Sequence, residues 1–228
     1  MNTTAIARNN ILGRLRAAPI ATLPPLPDVK AWFDAQRRNE DLAQRVVRLR
    51  AAMEAVKTEF HDVTPTDWPD VLLRIAAAKG IGNLLIGNNT PHGDALQARP
   101  LGAFELVHYE QPIEAWRDQL FDGIDASLTS ARSAVAEIGS IILWPTPSEP
   151  RLMSLVPHIH FVLLDAATIH SDLHSAITAE GWSSGLPTNA LLIGGPSKTA
   201  DIQQTLAYGA HGPKELIVLL RHASGAAS

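Results

Sequence analysis

The 228-residue chain contains no cysteine. That absence rules out structural disulfides, thiolate catalysis, Cys-ligated zinc and Cys-ligated iron–sulfur clusters within it. Long apolar runs are also missing. None approaches the ~18 residues of a membrane span, and the polar stretch 1–10 lacks the apolar core of a secretory signal. Together these absences make the cytoplasm the expected location. Aromatic residues make up only 5% of the chain, but 46% of residues are hydrophobic, as is usual for a globular protein. At ~150 residues per domain, the length suits one domain with an appendage, large enough to bury a core without a covalent staple.

Positive charge is scarce over most of the chain. Residues 1–60 hold ten Lys/Arg against six Asp/Glu, whereas residues 61–228 hold nine against seventeen. An acidic body argues against nonspecific nucleic-acid binding. The basic N-terminal part can dock on something acidic, including a second copy, or simply present a solvated face.

The hydrophobic rhythm divides the chain into a helical arm, residues 1–60, and an α/β domain, residues 61–228. Residues 4–17 predict a short helix, and Pro19, Pro24, Pro25 and Pro27 an extended linker. Asp28 is placed to cap a helix reaching about Asn39. A longer helix is expected from Asp41 to Phe60. Its Leu42, Val46, Leu49, Met53, Val56 and Phe60 recur in alternating steps of four and three. That stripe packs either on the chain's own body or on a partner.

Beyond residue 60, short apolar runs alternate with helical stretches. Val71–Ala78 reads as a helix, and six runs read as strands: 83–86, 104–108, 138–143, 159–164, 189–193 and 215–220. Continuous β-branched runs between helices predict a mostly parallel sheet covered on both faces by helices.

Three segments can carry chemistry. In the first, a strand enters Gly194-Gly195-Pro196-Ser197-Lys198-Thr199, and a helix is expected over 199–208. Free N–H groups at such a helix start, with Lys198 beside them, would hold a small anion. A capped turn without ligand is the plainer alternative. Downstream, His211 and Gly212 follow the expected helix cap Gly209. His211 either titrates in a cleft or sits on a surface turn. In the second segment, Glu137 precedes Gly139 and Ser140 within a strand. Gly weakens a strand, so something is expected to approach the backbone there. Glu137 is then a candidate nucleophile or general base, or else the ion-pair partner of Arg151 or Arg132. The third segment holds His158 and His160, with His170 and His174 four residues apart further on. These spacings occur in metal sites, but no further ligands accompany them, so no metal is assigned. Four of the nine body cations, Arg132, Arg151, Lys198 and Lys214, flank these segments, which points to an anionic ligand.

Together these patterns resemble the LUD-domain family. The matching stretches are Ala136-Glu137 with Gly139-Ser140, Arg151-Leu152 through His160, Gly195-Pro196-Ser197-Lys198-Thr199-Ala200-Asp201-Ile202, Gly209, and His211-Gly212-Pro213. The resemblance covers roughly residues 60–222. It implies a fold like that of ribose-5-phosphate isomerase and the CoA transferases. It also implies a part in oxidising L-lactate to pyruvate together with iron–sulfur partner proteins. Ile138 stands where the family usually carries Thr.

Three functions follow as expectations. The first is a subunit of a lactate-utilization complex that binds a small anion. Its ligand residues would be Gly139, Ser140, Arg151, Gly195, Ser197, Lys198, Thr199, Asp201 and Gly212, with Glu137 and His211 as catalytic candidates. This chain itself would hold no cofactor, since the clusters would belong to partners. The second is a free-standing isomerase or CoA-transferase-like enzyme that uses Glu137. The third, ranked last, is a regulatory module that senses a metabolite.

Overall fold

The computed structural model describes residues 3–18, 25–200, 206–208 and 212–223. The chain divides into two compact units, Met1–Gln36 and Arg37–Ser228.

The first unit holds α1 (Thr3–Ala17) and α2 (Val29–Gln36). Asp28 caps α2 as expected, its carboxylate accepting from the Ala31 N–H at 2.9 Å.

The second unit opens with α3 (Leu42–Glu54). A reciprocal capping box starts it: Asp41 accepts from the Gln44 N–H at 2.8 Å, and Gln44 accepts from the Asp41 N–H at 3.0 Å. The helix expected to reach Phe60 stops six residues earlier. Lys57 takes φ 73, and the chain then extends into β1 (Glu59–Val63), which contains Phe60. Next come α4 (Trp68–Lys79), β2 (Asn83–Ile86), α5 (Pro91–Gln97), β3 (Glu105–His108), α6 (Ile113–Asp122) and β4 (Ala126–Ser130). The remainder is β5 (Ser133–Val135), β6 (Ser140–Leu143), β7 (Ile159–Asp165), β8 (Ile169–His170), α7 (Leu173–Ala179), β9 (Leu191–Ile193), β10 (Lys198–Ala200), β11 (Leu206–Tyr208) and β12 (Glu215–Arg221).

Six strands form the main sheet in the order β1-β12-β7-β4-β2-β3, with every neighbouring pair parallel. A smaller sheet runs β8-β5-β6-β9, antiparallel at β5–β6 and β6–β9. The α/β class and the mostly parallel sheet therefore agree with the sequence reading. Two of its six strands, β6 and β9, belong instead to the small sheet.

Each face of the main sheet buries its own cluster. On one side, Trp68, Leu72 and Ala76 of α4 pack with Leu84, Leu128, Phe161 and Leu219. On the other, alternate residues Val162, Leu164, Val218 and Leu220 pack against Ala134, Ile141 and Leu143 of the small sheet and Leu49 and Met53 of α3. Leu49 and Met53 are fully buried there, so the inner part of the heptad stripe packs on the chain's own body. Burial on two faces explains why β12 reads as an unbroken apolar run and β7 as one interrupted only by His160.

Where a helix was expected over 199–208, the described residues 198–200 and 206–208 are strands instead. Strands β10 and β11 pair antiparallel, with Lys198 opposite Tyr208 and Ala200 opposite Leu206. Thr199 therefore lies in an extended strand, and the helix N-terminus expected to hold an anion is absent. Strands β1, β4 and β5 escaped the sequence reading because they are short or carry polar residues, as in the Ala-Ser-Leu-Thr-Ser of β4. Among the described residues, no helix is long and apolar enough to cross a membrane.

Candidate functional site

The strand order reverses direction between β2 and β4. From β2 the chain moves outward to β3, then returns to place β4 on the other side of β2. Ligands in open parallel sheets bind beyond the carboxyl ends of strands at such a reversal. A cavity of about 430 Å³ opens there. Pro65, Trp68, Ala95 and Leu163 give it apolar walls, and Ser130, His92, Glu149, Asp165 and Arg221 give it polar ones.

The loop leaving β2 brings in His92. Thr90 is buried, and its hydroxyl accepts from the Gly93 N–H at 3.2 Å, fixing the start of α5. Gly87 permits a close crossing, because a Cβ on it would lie 2.5 Å from the Ser148 carbonyl oxygen. The Asn88 N–H then donates to that oxygen at 3.1 Å. The crossing segment carries Glu149 into the cleft, held by a local turn in which the Thr146 hydroxyl accepts from the Glu149 N–H at 3.0 Å.

At the end of β4, Ser130 grips the Glu149 carboxylate with both of its donors: its N–H reaches Oε1 at 2.8 Å and its hydroxyl reaches Oε2 at 2.5 Å. His92 Nε2 lies 3.3 Å from Oε1, and the two side chains are only 8% and 14% exposed. Burial alone would raise the Glu149 pKa, but His92 and the Ser130 hydrogen bonds outweigh it and hold the carboxyl below its ordinary range. Parallel register sets Arg221 of β12 beside Asp165 of β7. Arg221 Nη2 donates to Oδ2 at 2.6 Å while Nε donates to Oδ1, a two-point grip that raises the Arg221 pKa.

Behind the cleft, His160 is fully buried, with Nε2 2.8 Å from the Thr129 hydroxyl. Burial pushes its pKa down to about 3, against the opposing charge of Glu149, so the ring is neutral.

The residues expected from the sequence gather elsewhere. Glu137 and Ile138 sit exposed on the turn between β5 and β6. Neither proposed arginine pairs with Glu137. Arg132 binds Glu180 and stacks 3.8 Å over the Trp144 ring, while Arg151 donates to the Asn189 side chain at 3.1 Å. The group expected to approach Gly139 is α3. Gly139 has φ 59, and a Cβ on it would meet the Ala52 Cβ at 2.5 Å. Gly195 likewise faces Val56, at 2.8 Å. A Cβ on Gly194 would lie 3.4 Å from the Ser140 hydroxyl, and one on Gly212 would lie 3.2 Å from the Ser197 Cβ. The Ser197 N–H donates to the Pro213 carbonyl at 2.8 Å, and Lys198 is exposed. The structure thus brings Gly139, Ser140, Gly195, Ser197 and Gly212 into one seam of close backbone crossings. Asp201, Gly209 and His211 lie outside the described residues. Of the paired histidines, His158 is exposed, and His170 lies 3.3 Å from Glu180.

None of Ser130, His92, Glu149, Asp165 and Arg221 was singled out from the sequence. One signal was available: the strand-end rule, applied to Asn83–Ile86, leads directly to the Gly87–His92 loop. The run before Gly194 offers no such guide, because its strand β9 belongs to the small sheet.

A crystal structure of a DUF162 family protein from Deinococcus radiodurans superposes with a TM-score of 0.59, covering 80% of this chain and 99% of its own at 17% identity. That likeness concerns the fold. An uncharacterized protein of Neisseria meningitidis serogroup B is 40% identical over 219 residues, 93% of this chain and 92% of its own. Lactate utilization protein C of an Exiguobacterium species is 29% identical over 184 residues, 78% of this chain and 76% of its own. The protein of that name from Macrococcus caseolyticus is 24% identical, covering 72% of each. The LUD domain model matches residues 46–220, running from α3 almost to the end of β12 and taking in both sheets; the chain belongs to the LUD-domain family.

Proposed function

We propose that this chain serves lactate utilization as the cysteine-free subunit of a system that oxidises L-lactate to pyruvate with iron–sulfur partner proteins. The observation that carries this reading is its similarity, over 72–78% of its length, to proteins named lactate utilization protein C. The composition fits such a division of labour. Iron–sulfur clusters are held chiefly by cysteine thiolates, and this chain has none. The electrons taken from lactate would pass to clusters on the partners, while this chain binds a small ligand in the strand-end cleft. The free-standing reading needs Glu137 as base or nucleophile, and Glu137 stands exposed on a turn and is not among the residues lining that cleft.

A pull-down of the tagged chain from lactate-grown cells tests the proposal. The expected eluate contains iron and reduces a dye on addition of lactate, and it loses that activity when this chain is stripped away. An iron-free, single-chain eluate, or partners that oxidise lactate equally well without this chain, would overturn it.

A further inference from the structure

Two exposed helix faces of opposite charge have no role in the cleft or in either sheet. The first is on α1, which carries Arg8, Arg14 and Arg16 and no acid. Ile11 and Leu15, four residues apart on one face, are 60% and 67% exposed. Arg8 and Arg14 stand three residues before and after Ile11, so they border it on the helix surface. Of the α1 side chains described, only Leu12 is even half-buried. A helix of 15 residues left this open is marginal in water, so its stability calls for a second surface.

The other face is on α6. Trp116 and Leu120 of this helix are buried, whereas Phe121 is 49% exposed. Asp118 and Asp122 lie beside Phe121, four residues apart on the stretch beyond the kink at Trp116. Like charges at that spacing repel, so the helix gains when a cation comes between them. Elsewhere in the chain, exposed acids have such partners: Asp62 has Arg50, Glu215 has Lys79 and Asp165 has Arg221. Asp118 and Asp122 have no ion-pair partner among the described residues. Arg117, the one cation of α6, lies over the Phe121 ring at 5.8 Å.

We infer that α1 docks on α6 of a second copy of this chain. Ile11 and Leu15 cover Phe121, and the arginines bordering Ile11 reach Asp118 and Asp122. The argument for a second copy is self-complementarity. One chain carries both an acid-free basic helix with an apolar centre and an acidic helix face with an exposed aromatic ring. A twofold axis then makes the contact twice, each copy giving its α1 and receiving the other's. Stable interfaces bury about 800 Å² per partner, and the exchange doubles what a single helix contact supplies. The inference is independent of the lactate reading.

Sedimentation equilibrium of the purified full chain tests it, using charge reversals at exposed positions. The wild type is expected to be a dimer at micromolar concentration, with a dissociation constant that rises at least tenfold in high salt. Arg8→Glu with Arg14→Glu, and separately Asp118→Lys with Asp122→Lys, should each give monomers. Mixing the two variants should restore a dimer. In the mixture each reversed helix meets the other's reversed helix, and each native helix meets a native one. A folding defect would not be repaired in this way. A dimer that either reversal leaves intact, or a mixture that stays monomeric, overturns the inference. So does a monomeric wild type: resistance of its α1 to limited proteolysis would then place that helix on its own chain, and cleavage would leave it for a different protein.

Discussion

The strand-end cleft and the glycine seam are both places where loops cross closely, but the crossings are closed by different means. In the seam, Gly139 and Gly195 let the turns approach Ala52 and Val56 of the α3 segment, so backbone meets small apolar side chains. Its charged neighbours, Glu137 and Lys198, point to solvent. In the cleft, Gly87 makes a similar crossing, but it serves to deliver a carboxylate. Glu149 is then largely taken out of water against Ser130 and His92. Glycine alone marks a crossing. A buried, hydrogen-bonded ionisable side chain beside an open cavity marks a site where the fold has spent stability on placing a charge.

The sharpest test of the contrast is Gly139→Ala. The substitution forces an alanine into φ 59 and sets its Cβ 2.5 Å from that of Ala52. Together the two effects should destabilise the fold by about 2–4 kcal/mol, measured by denaturant unfolding, and leave cleft ligand affinity alone. A loss under about 0.5 kcal/mol would show that the seam is not tightly packed.

On the cleft side, Glu149→Ala strands the Ser130 donors and removes the carboxylate beside His92. A loss of about 2–3 kcal/mol is expected, with ligand binding abolished at temperatures where the variant stays folded. Intact binding would detach Glu149 from the site.

Acid sensitivity should also localise to the cleft. His160 is neutral in the fold, with its pKa lowered to about 3, while the unfolded chain takes up a proton near the ordinary 6.5. Stability is therefore complete above that value and declines as pH falls from about 6.5 toward 3, by up to roughly 1.4 kcal/mol per pH unit from this group. Glu149, whose pKa is lowered, adds a further loss as it is protonated below its ordinary 4.5. His160→Gln keeps a partner for Thr129 and should flatten the upper part of that decline. An unchanged profile would place the acid-sensitive group elsewhere.

The smallest effect belongs to Lys198→Ala. Lys198 is exposed on β10, so stability should change by less than about 0.5 kcal/mol and lactate affinity by less than twofold. A large loss of affinity would move the ligand back to the seam.

Much of the fold was legible because burial on both faces writes itself as continuous apolar runs. β2 was read with its exact ends, and β7 and β12 to within one residue. β4 was not legible. Its Ser127 and Thr129 satisfy their hydroxyls on the Met153 carbonyl and His160, contacts that only the assembled sheet provides. β10 and β11 stand where a helix was expected, because Gly-Gly-Pro-Ser suits a helix entry as well as a turn, and local propensity does not choose between them.

The sequence by itself determined the family, the α/β class, the lack of any cysteine ligand for a cluster and the apolar stripe of α3. These are properties of composition, periodicity and motif. Which strands share a sheet was decided only in three dimensions, and with it which strand ends face one another. Glu149 comes from a proline-rich loop, His92 from the first turn of α5, 57 residues earlier, and Arg221 from the last strand. They meet because parallel pairing aligns the carboxyl ends of β2, β4, β7 and β12 along one edge, a long-range register that no local pattern encodes.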